Sequence, residues 1–207
     1  MTDPHLTEPR RLPVVLLWHM HQPHYRDALT GEYVFPWTYL HAIKDYSDMA
    51  AHLESNPKAR AVVNFTPVLL EQLAELAAAV AATLAGTGKL PDALLATLGP
   101  AGLPSSSAAR LELLKACLRA QHPQMIDRFA PYQELAGIAE SLATPERIDY
   151  ASEALLNDLT VWYHLAWLGE SLRLGDARVA ALMARARHFR EADRRALLGI
   201  IGETLAG

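Results

Sequence analysis

Only one cysteine, Cys117, occurs in 207 residues. A lone thiol closes no intramolecular disulfide. Its place in an amphipathic run, residues 111–120, reads as a buried inert side chain rather than a nucleophile. Charge of one sign is also scarce: 19 Lys and Arg against 23 Asp and Glu leave a formal net charge of −4. No basic stripe with interleaved aromatics is present, which argues against nucleic acid as a partner. Residues 1–11 show no basic-then-apolar signal pattern, and no apolar run reads as long enough to span a bilayer. No membrane is therefore expected, and a cytoplasmic location is the default. From residue 91 onward no segment reads as a strand. What the chain does hold is apolar content, 51% of its residues, enough for a sizeable core in one domain or a domain with a subdomain.

Residues 1–11 read as a flexible tail. Residues 14–21, an apolar run that empties into histidines, suit a strand buried on both faces. A loop rich in proline, glycine and aromatics follows over 22–36, long enough to carry function. Apolar residues at helical spacing predict a helix over 38–54, stopped by Asn56-Pro57. A second short strand is expected over 59–65, then a helix from Pro67 to about residue 84, closed by Gly86-Thr87-Gly88. This βαβα order predicts parallel strands joined by a right-handed crossover. Helices are expected near 91–98, 106–121, 131–141, 145–170, 176–186 and 190–206, with Ser107 a candidate cap for the second. The fold class is α/β: residues 12–90 form the first βαβα part and residues 91–207 a mostly α-helical region. Two parallel strands do not make a stable sheet. Either further strands lie beyond residue 207, or the pair rests on a helical bundle.

The segment Leu16-Leu17-Trp18-His19-Met20-His21-Gln22-Pro23-His24 is the most informative. Strand alternation puts His19 and His21 on the same side, and two imidazoles at a strand end need partners. One reading is a metal site, since metal-dependent barrel hydrolases place paired histidines at the end of a first strand. Further ligands by type are His24, His41, His122 and His164, with Asp27, Asp45 or Asp48, but none shows ligand spacing. The other reading is a sugar site. Imidazole and the Gln22 amide offer donors and acceptors to hydroxyls, and Trp18, Tyr25, Tyr33, Phe35, Trp37 and Tyr39 crowd the same region with faces that stack on sugar rings. Glycoside chemistry needs two flanking carboxyl groups. Neither Asp27 with Glu32 nor Glu71 with Glu75 makes such a pair on sequence grounds. Ser105-Ser106-Ser107 reads as a helix-capping linker, and the five arginines of residues 185–195 as a solvated helical face.

From His19-Met20-His21-Gln22-Pro23 the chain resembles glycoside hydrolase family 57. The resemblance continues through Phe35-Pro36-Trp37-Thr38-Tyr39-Leu40-His41-Ala42-Ile43-Lys44-Asp45-Tyr46 and Val63-Asn64-Phe65-Thr66-Pro67. It returns at Asp158-Leu159-Thr160-Val161-Trp162-Tyr163-His164-Leu165-Ala166-Trp167-Leu168-Gly169. The segments run in family order and cover most of residues 12–207. The resemblance implies a (β/α)7 barrel with a helical insertion and a retaining mechanism on α-glucans, with amylase, glucanotransferase and branching activities among its members. It implies substrate contact for His19 and His21, then Gln22, with Trp37 and His41 matching the family pattern. The metal site is not part of that mechanism.

The family's glutamate nucleophile and aspartate acid lie on later strands, and no motif for them occurs here. The resemblance therefore implies the N-terminal part of a longer enzyme, an incomplete barrel holding part of a sugar site and inactive alone. No catalytic residue, metal or cofactor is assigned. The expected partners are an α-glucan or maltooligosaccharide and a missing C-terminal half. The alternatives are a metal-dependent barrel hydrolase using His19 and His21, and a non-enzymatic helical binding module.

Overall fold

The computed structural model describes residues 12–207, so the expected tail at 1–11 lies outside the described residues. Strands β1 (Leu17–Met20) and β2 (Val62–Phe65) pair in parallel, with Leu17 opposite Val62 and His19 opposite Asn64. Between them run α1 (Trp37–His41) and α2 (Ser47–Ser55), joined without a break by a π-helical turn, Ala42–Tyr46. The expected regular helix over 38–54 is thus interrupted. In this turn the Ala42 carbonyl accepts from both the Ser47 N–H and, at 2.6 Å, Ser47 Oγ, while an outside donor, the Gly169 N–H, reaches the Ile43 carbonyl at 2.8 Å.

After β2, α3 (Pro67–Leu84) begins with a proline whose missing N–H would be unpaired in a first turn anyway. Next come α4 (Ala93–Ala96), α5 (Ser107–Cys117), α6 (Ala130–Leu142) and α7 (Glu153–Trp167). The chain closes with α8 (Glu170–Gly175), α9 (Ala177–Arg185) and α10 (Glu191–Ala206). The cap of α5 is Ser106, whose hydroxyl accepts from the Ala109 N–H, while Ser107 donates to Asp149 instead. The single helix expected over 145–170 is divided. A 3-10 turn, Ile148–Tyr150, precedes Ser152, which caps α7, and extended backbone at Leu168 and Gly169 separates α7 from α8.

Helix α7 is the centre of the molecule. Every residue from Leu156 to Trp167 is buried, the polar Asn157, Asp158, Thr160 and His164 among them, and α5 and α6 pack against the helix. On the other side α3 packs against α10 and α1. At the α3–α10 contact Gly202 is needed, since a Cβ there would sit 2.6 Å from Val80 Cγ1. Helix α3 is long and apolar enough by length and composition to cross a membrane, an exception to the expectation that no run reaches that length. Here its face of Leu69, Gln72, Leu76 and Val80 is buried in the protein. The core is continuous across the chain, with Tyr39, Leu40 and Ile43 in the same cluster as Leu114, Trp162 and Ile201.

The strands depart from expectation in burial. Instead of being covered on both faces, β1 and β2 expose Leu17, Val62, Val63 and Phe65, and only Met20 is buried. The reason is the number of neighbours: among the described residues the sheet has two strands, so each has one open edge. The arginine-rich stretch departs too. Arg194 turns inward, is buried, and donates to Asn157 Oδ1 at 2.5 Å rather than facing solvent.

Candidate functional site

The end of β1 aims the two histidines together. The His19 and His21 ring centroids lie 5.8 Å apart, tilted by 38°, and both side chains are exposed. His19 is oriented by its register partner: Nδ1 lies 2.7 Å from Asn64 Oδ1, and an amide oxygen can only accept, so Nδ1 carries the proton. His19 Nε2 has no partner among the described residues and faces outward from the pair with Asn64 as a polar contact point.

The chain then runs from His21 into Gln22, whose amide is held at both ends. Nε2 donates to the Tyr46 hydroxyl at 3.1 Å, and the Tyr25 hydroxyl donates to Oε1 at 3.2 Å. Tyr46 belongs to the π-helical turn and lies beside His41, ring centroids 6.4 Å apart. His41 Nδ1 meets Asp45 Oδ2 at 2.5 Å, and Lys44 Nζ donates to the other oxygen at 2.8 Å. Partial burial pushes the Asp45 carboxyl up, but the hydrogen bonds from Lys44 and His41 outweigh it and hold the pKa below the usual value. Asp45 thereby fixes the His41 ring and leaves Nε2 outward. Trp37 and Trp167 stand beside it, 6.0 Å apart, with Trp167 edge-on to His41 at 6.1 Å. Lys44 lies over the Trp167 ring at 5.8 Å.

Gln22, Trp37 and His41, far apart in sequence, are therefore joined into one patch through Tyr46 and Trp167. His19 and His21 form a pair with Asn64 that reaches this patch through the His21-Gln22 bond. What holds the patch is a residue that spacing alone passes over. Gln72, fully buried on α3, accepts from the Tyr25 N–H at 3.0 Å and Thr38 Oγ1 at 3.3 Å. It donates to the Pro23 carbonyl at 3.0 Å and that of Val68 at 3.1 Å. The visible signal is an amide in a leucine position of an apolar helix face. Asp48 is a second such residue. It accepts from the Glu170 N–H at 2.8 Å, the Ser171 N–H at 2.9 Å and Ser171 Oγ at 2.6 Å, pinning α8 to α2. Burial raises the Asp48 carboxyl, and these bonds, with nearby Arg173, bring it below its ordinary value.

The other candidate ligands are dispersed. Asp27 accepts from the Leu29 and Thr30 N–H groups of its own turn. His122 is exposed beside Asp127 and Glu140. His164 is buried in the core between Tyr39 and the Thr160 carbonyl. Among the described residues no three His, Cys, Asp or Glu side chains gather as a metal would need. Glu75 is taken by Arg26 at 3.1 Å and by the Tyr33 hydroxyl. Cys117 is buried, and desolvation pushes its thiol up to about 12, which makes it a poor nucleophile.

A cleft of about 830 Å³ opens between residues 33–37, α4 and α5. Of His19, His21, Gln22, Trp37 and His41 only Trp37 lines it, together with the aromatic residues Tyr33 and Phe35. Compared with known proteins, the chain matches the family model described as glycosyl hydrolase family 57 over residues 15–193. No curated protein and no solved structure matches it.

Proposed function

The chain belongs to glycosyl hydrolase family 57, and on that footing we propose that it supplies part of the α-glucan-binding site of a retaining glycoside hydrolase or transglycosylase. Membership brings a carbohydrate substrate and glycoside-bond chemistry. The observation that carries the finer reading is the joining of Gln22, Trp37 and His41 into one patch beside the His19–His21 pair. The half-buried indole of Trp37 suits the apolar face of a sugar ring, and the Nε2 atoms of His19 and His41, unpaired among the described residues, suit its hydroxyls. Each imidazole is held at Nδ1, by Asn64 and Asp45, so neither must be ordered when sugar arrives.

A retaining reaction needs a nucleophile and an acid about 5 Å apart. Asp45, beside His41, and Asp48, on α2, are committed to His41 with Lys44 and to the start of α8. We assign nucleophile and acid to later strands of a (β/α)7 barrel, borne by a C-terminal portion. In this reading residues 12–90 supply the first βαβα unit and residues 91–207 the helical insertion. The apolar faces left open on β1 and β2 are the surface further strands would cover. A cytoplasmic setting belongs to the same reading.

The test is titration calorimetry of the 207-residue chain with maltotriose, alongside a turnover assay on amylose. Maltotriose is expected to bind, His21→Ala and His41→Ala each to weaken it roughly tenfold, worth about 1.4 kcal/mol, and amylose to remain intact. Turnover by this chain, or affinity indifferent to both substitutions, overturns the proposal.

A further inference from the structure

The cleft beside Trp37 is a feature that the patch leaves largely unused. Its volume, about 830 Å³, is in the range that buries most of a small ligand. Phe35 and Trp37 give it aromatic walls, and Asp92, Thr97 and Glu112 add polar groups. Apolar walls broken by scattered donors and acceptors match a pyranose ring, which has C–H faces and a hydroxyl rim. The cleft is also braced. The Tyr33 N–H donates to the Pro91 carbonyl at 2.9 Å and the Val34 N–H to that of Tyr25 at 3.0 Å, so the 33–37 wall is tied on both sides. Phe35 stays 49% exposed on that wall, a large apolar side chain held out of the core. Asp92 is buried at the base and desolvation pushes its carboxyl up to about 6, so it can donate or accept near neutral pH.

Continuity identifies the occupant. Trp37 belongs to both places: it lines the cleft, and its ring lies 6.4 Å from His41 and 6.0 Å from Trp167 in the patch. A linear sugar lying against His41 can cross this half-buried indole and continue into the cleft. We propose that the cleft is an extension of the sugar site that holds the distal rings of a long α-glucan and so selects for chain length. This rests on the glucan reading of the His19–His41 patch.

The experiment compares maltotriose with maltoheptaose by calorimetry on the full chain, with Phe35→Ala and Ala109→Trp. Ala109 is exposed on α5 and lines the cleft, so an indole there fills it without entering the core. The native chain is expected to bind maltoheptaose about tenfold more tightly than maltotriose, the scale of one or two aromatic stacking contacts. Both substitutions are expected to remove that advantage, and Ala109→Trp to leave maltotriose affinity unchanged. Equal affinity for the two sugars in the native chain, or an advantage that survives Ala109→Trp, overturns this inference and leaves the patch reading standing. Binding of neither sugar overturns both.

Discussion

His164 is satisfied only as a neutral ring: Nδ1–H donates to the Thr160 carbonyl at 2.8 Å and Nε2 accepts from the Tyr39 hydroxyl at 3.1 Å. Burial pushes its pKa down to about 4. The unfolded chain protonates histidine near 6.5, so acidification from about 6.5 to 4 favours unfolding and removes roughly 3 kcal/mol. Asp92 works in the opposite direction. Burial pushes it up to about 6 against the N–H groups of Leu95 and Leu94, so the folded chain holds a proton that the unfolded chain releases. Its cost is fully present above pH 6 and is relieved as pH falls towards 4, again by roughly 3 kcal/mol. The two nearly cancel between pH 4 and 6. Asp92→Asn keeps an N-cap acceptor for Leu95 but takes up no proton. Urea titrations should therefore show a native chain with flat stability from pH 6 to 4, and an Asp92→Asn chain that loses about 2 kcal/mol over the same range. Parallel profiles would refute the opposed pair. Neither residue announces this in the sequence. His164 stands among candidate ligands by residue type, and only packing shows that it is sealed in the core. Gln72 is similar: its type is visible, but its four partners come from three separate segments.

The segment 38–54 shows what spacing can and cannot convey at the level of an element. Leu40, Ile43 and Tyr46 keep helical spacing through the π-helical turn, so the pattern predicts one regular helix. The turn is stabilised by Gly169, whose N–H reaches the Ile43 carbonyl across 126 positions of sequence, and no local signal carries that. The same contact explains why α7 and α8 are separate helices: Gly169 and the capping of α8 by Asp48 set the break. A Cβ on Gly169 would lie 2.5 Å from Asp48 Oδ1 and 3.0 Å from the Lys44 carbonyl. Gly169→Ala is expected to destabilise the chain by about 2 to 3 kcal/mol, and Asp48→Ala, which strips three hydrogen bonds from the start of α8, by about 2 kcal/mol. Once the Asp48 carboxylate is gone, the worst of the clash goes with it. The double variant should lose less than the sum of the two, by at least ~1 kcal/mol in a denaturant cycle. Strict additivity would mean that the two residues do not share this contact. A displaced π-helical turn would also move Tyr46 and His41, so the Gly169→Ala chain should bind maltotriose more weakly even where it remains folded.

For the molecule as a whole, the parallel pair and the helical remainder are legible because apolar runs and turn residues are local. The burial of the sheet is not, because it depends on which neighbours flank it. An apolar run such as 14–21 implies cover on both faces, yet Leu16, Leu17, Val62, Val63 and Phe65 remain between 36% and 63% exposed. Open strand edges beside exposed valine and leucine are a template for pairing with another chain. At roughly 100 μM the 207-residue chain is therefore expected to self-associate in sedimentation velocity, in the range where unpaired strand edges begin to aggregate. Leu16→Lys with Val63→Lys should restore a monomer without loss of helical circular dichroism, since neither side chain enters the core. A strictly monomeric native chain at that concentration would show that the sheet faces are not adhesive. The case for further strands docking on them would then lose its physical support.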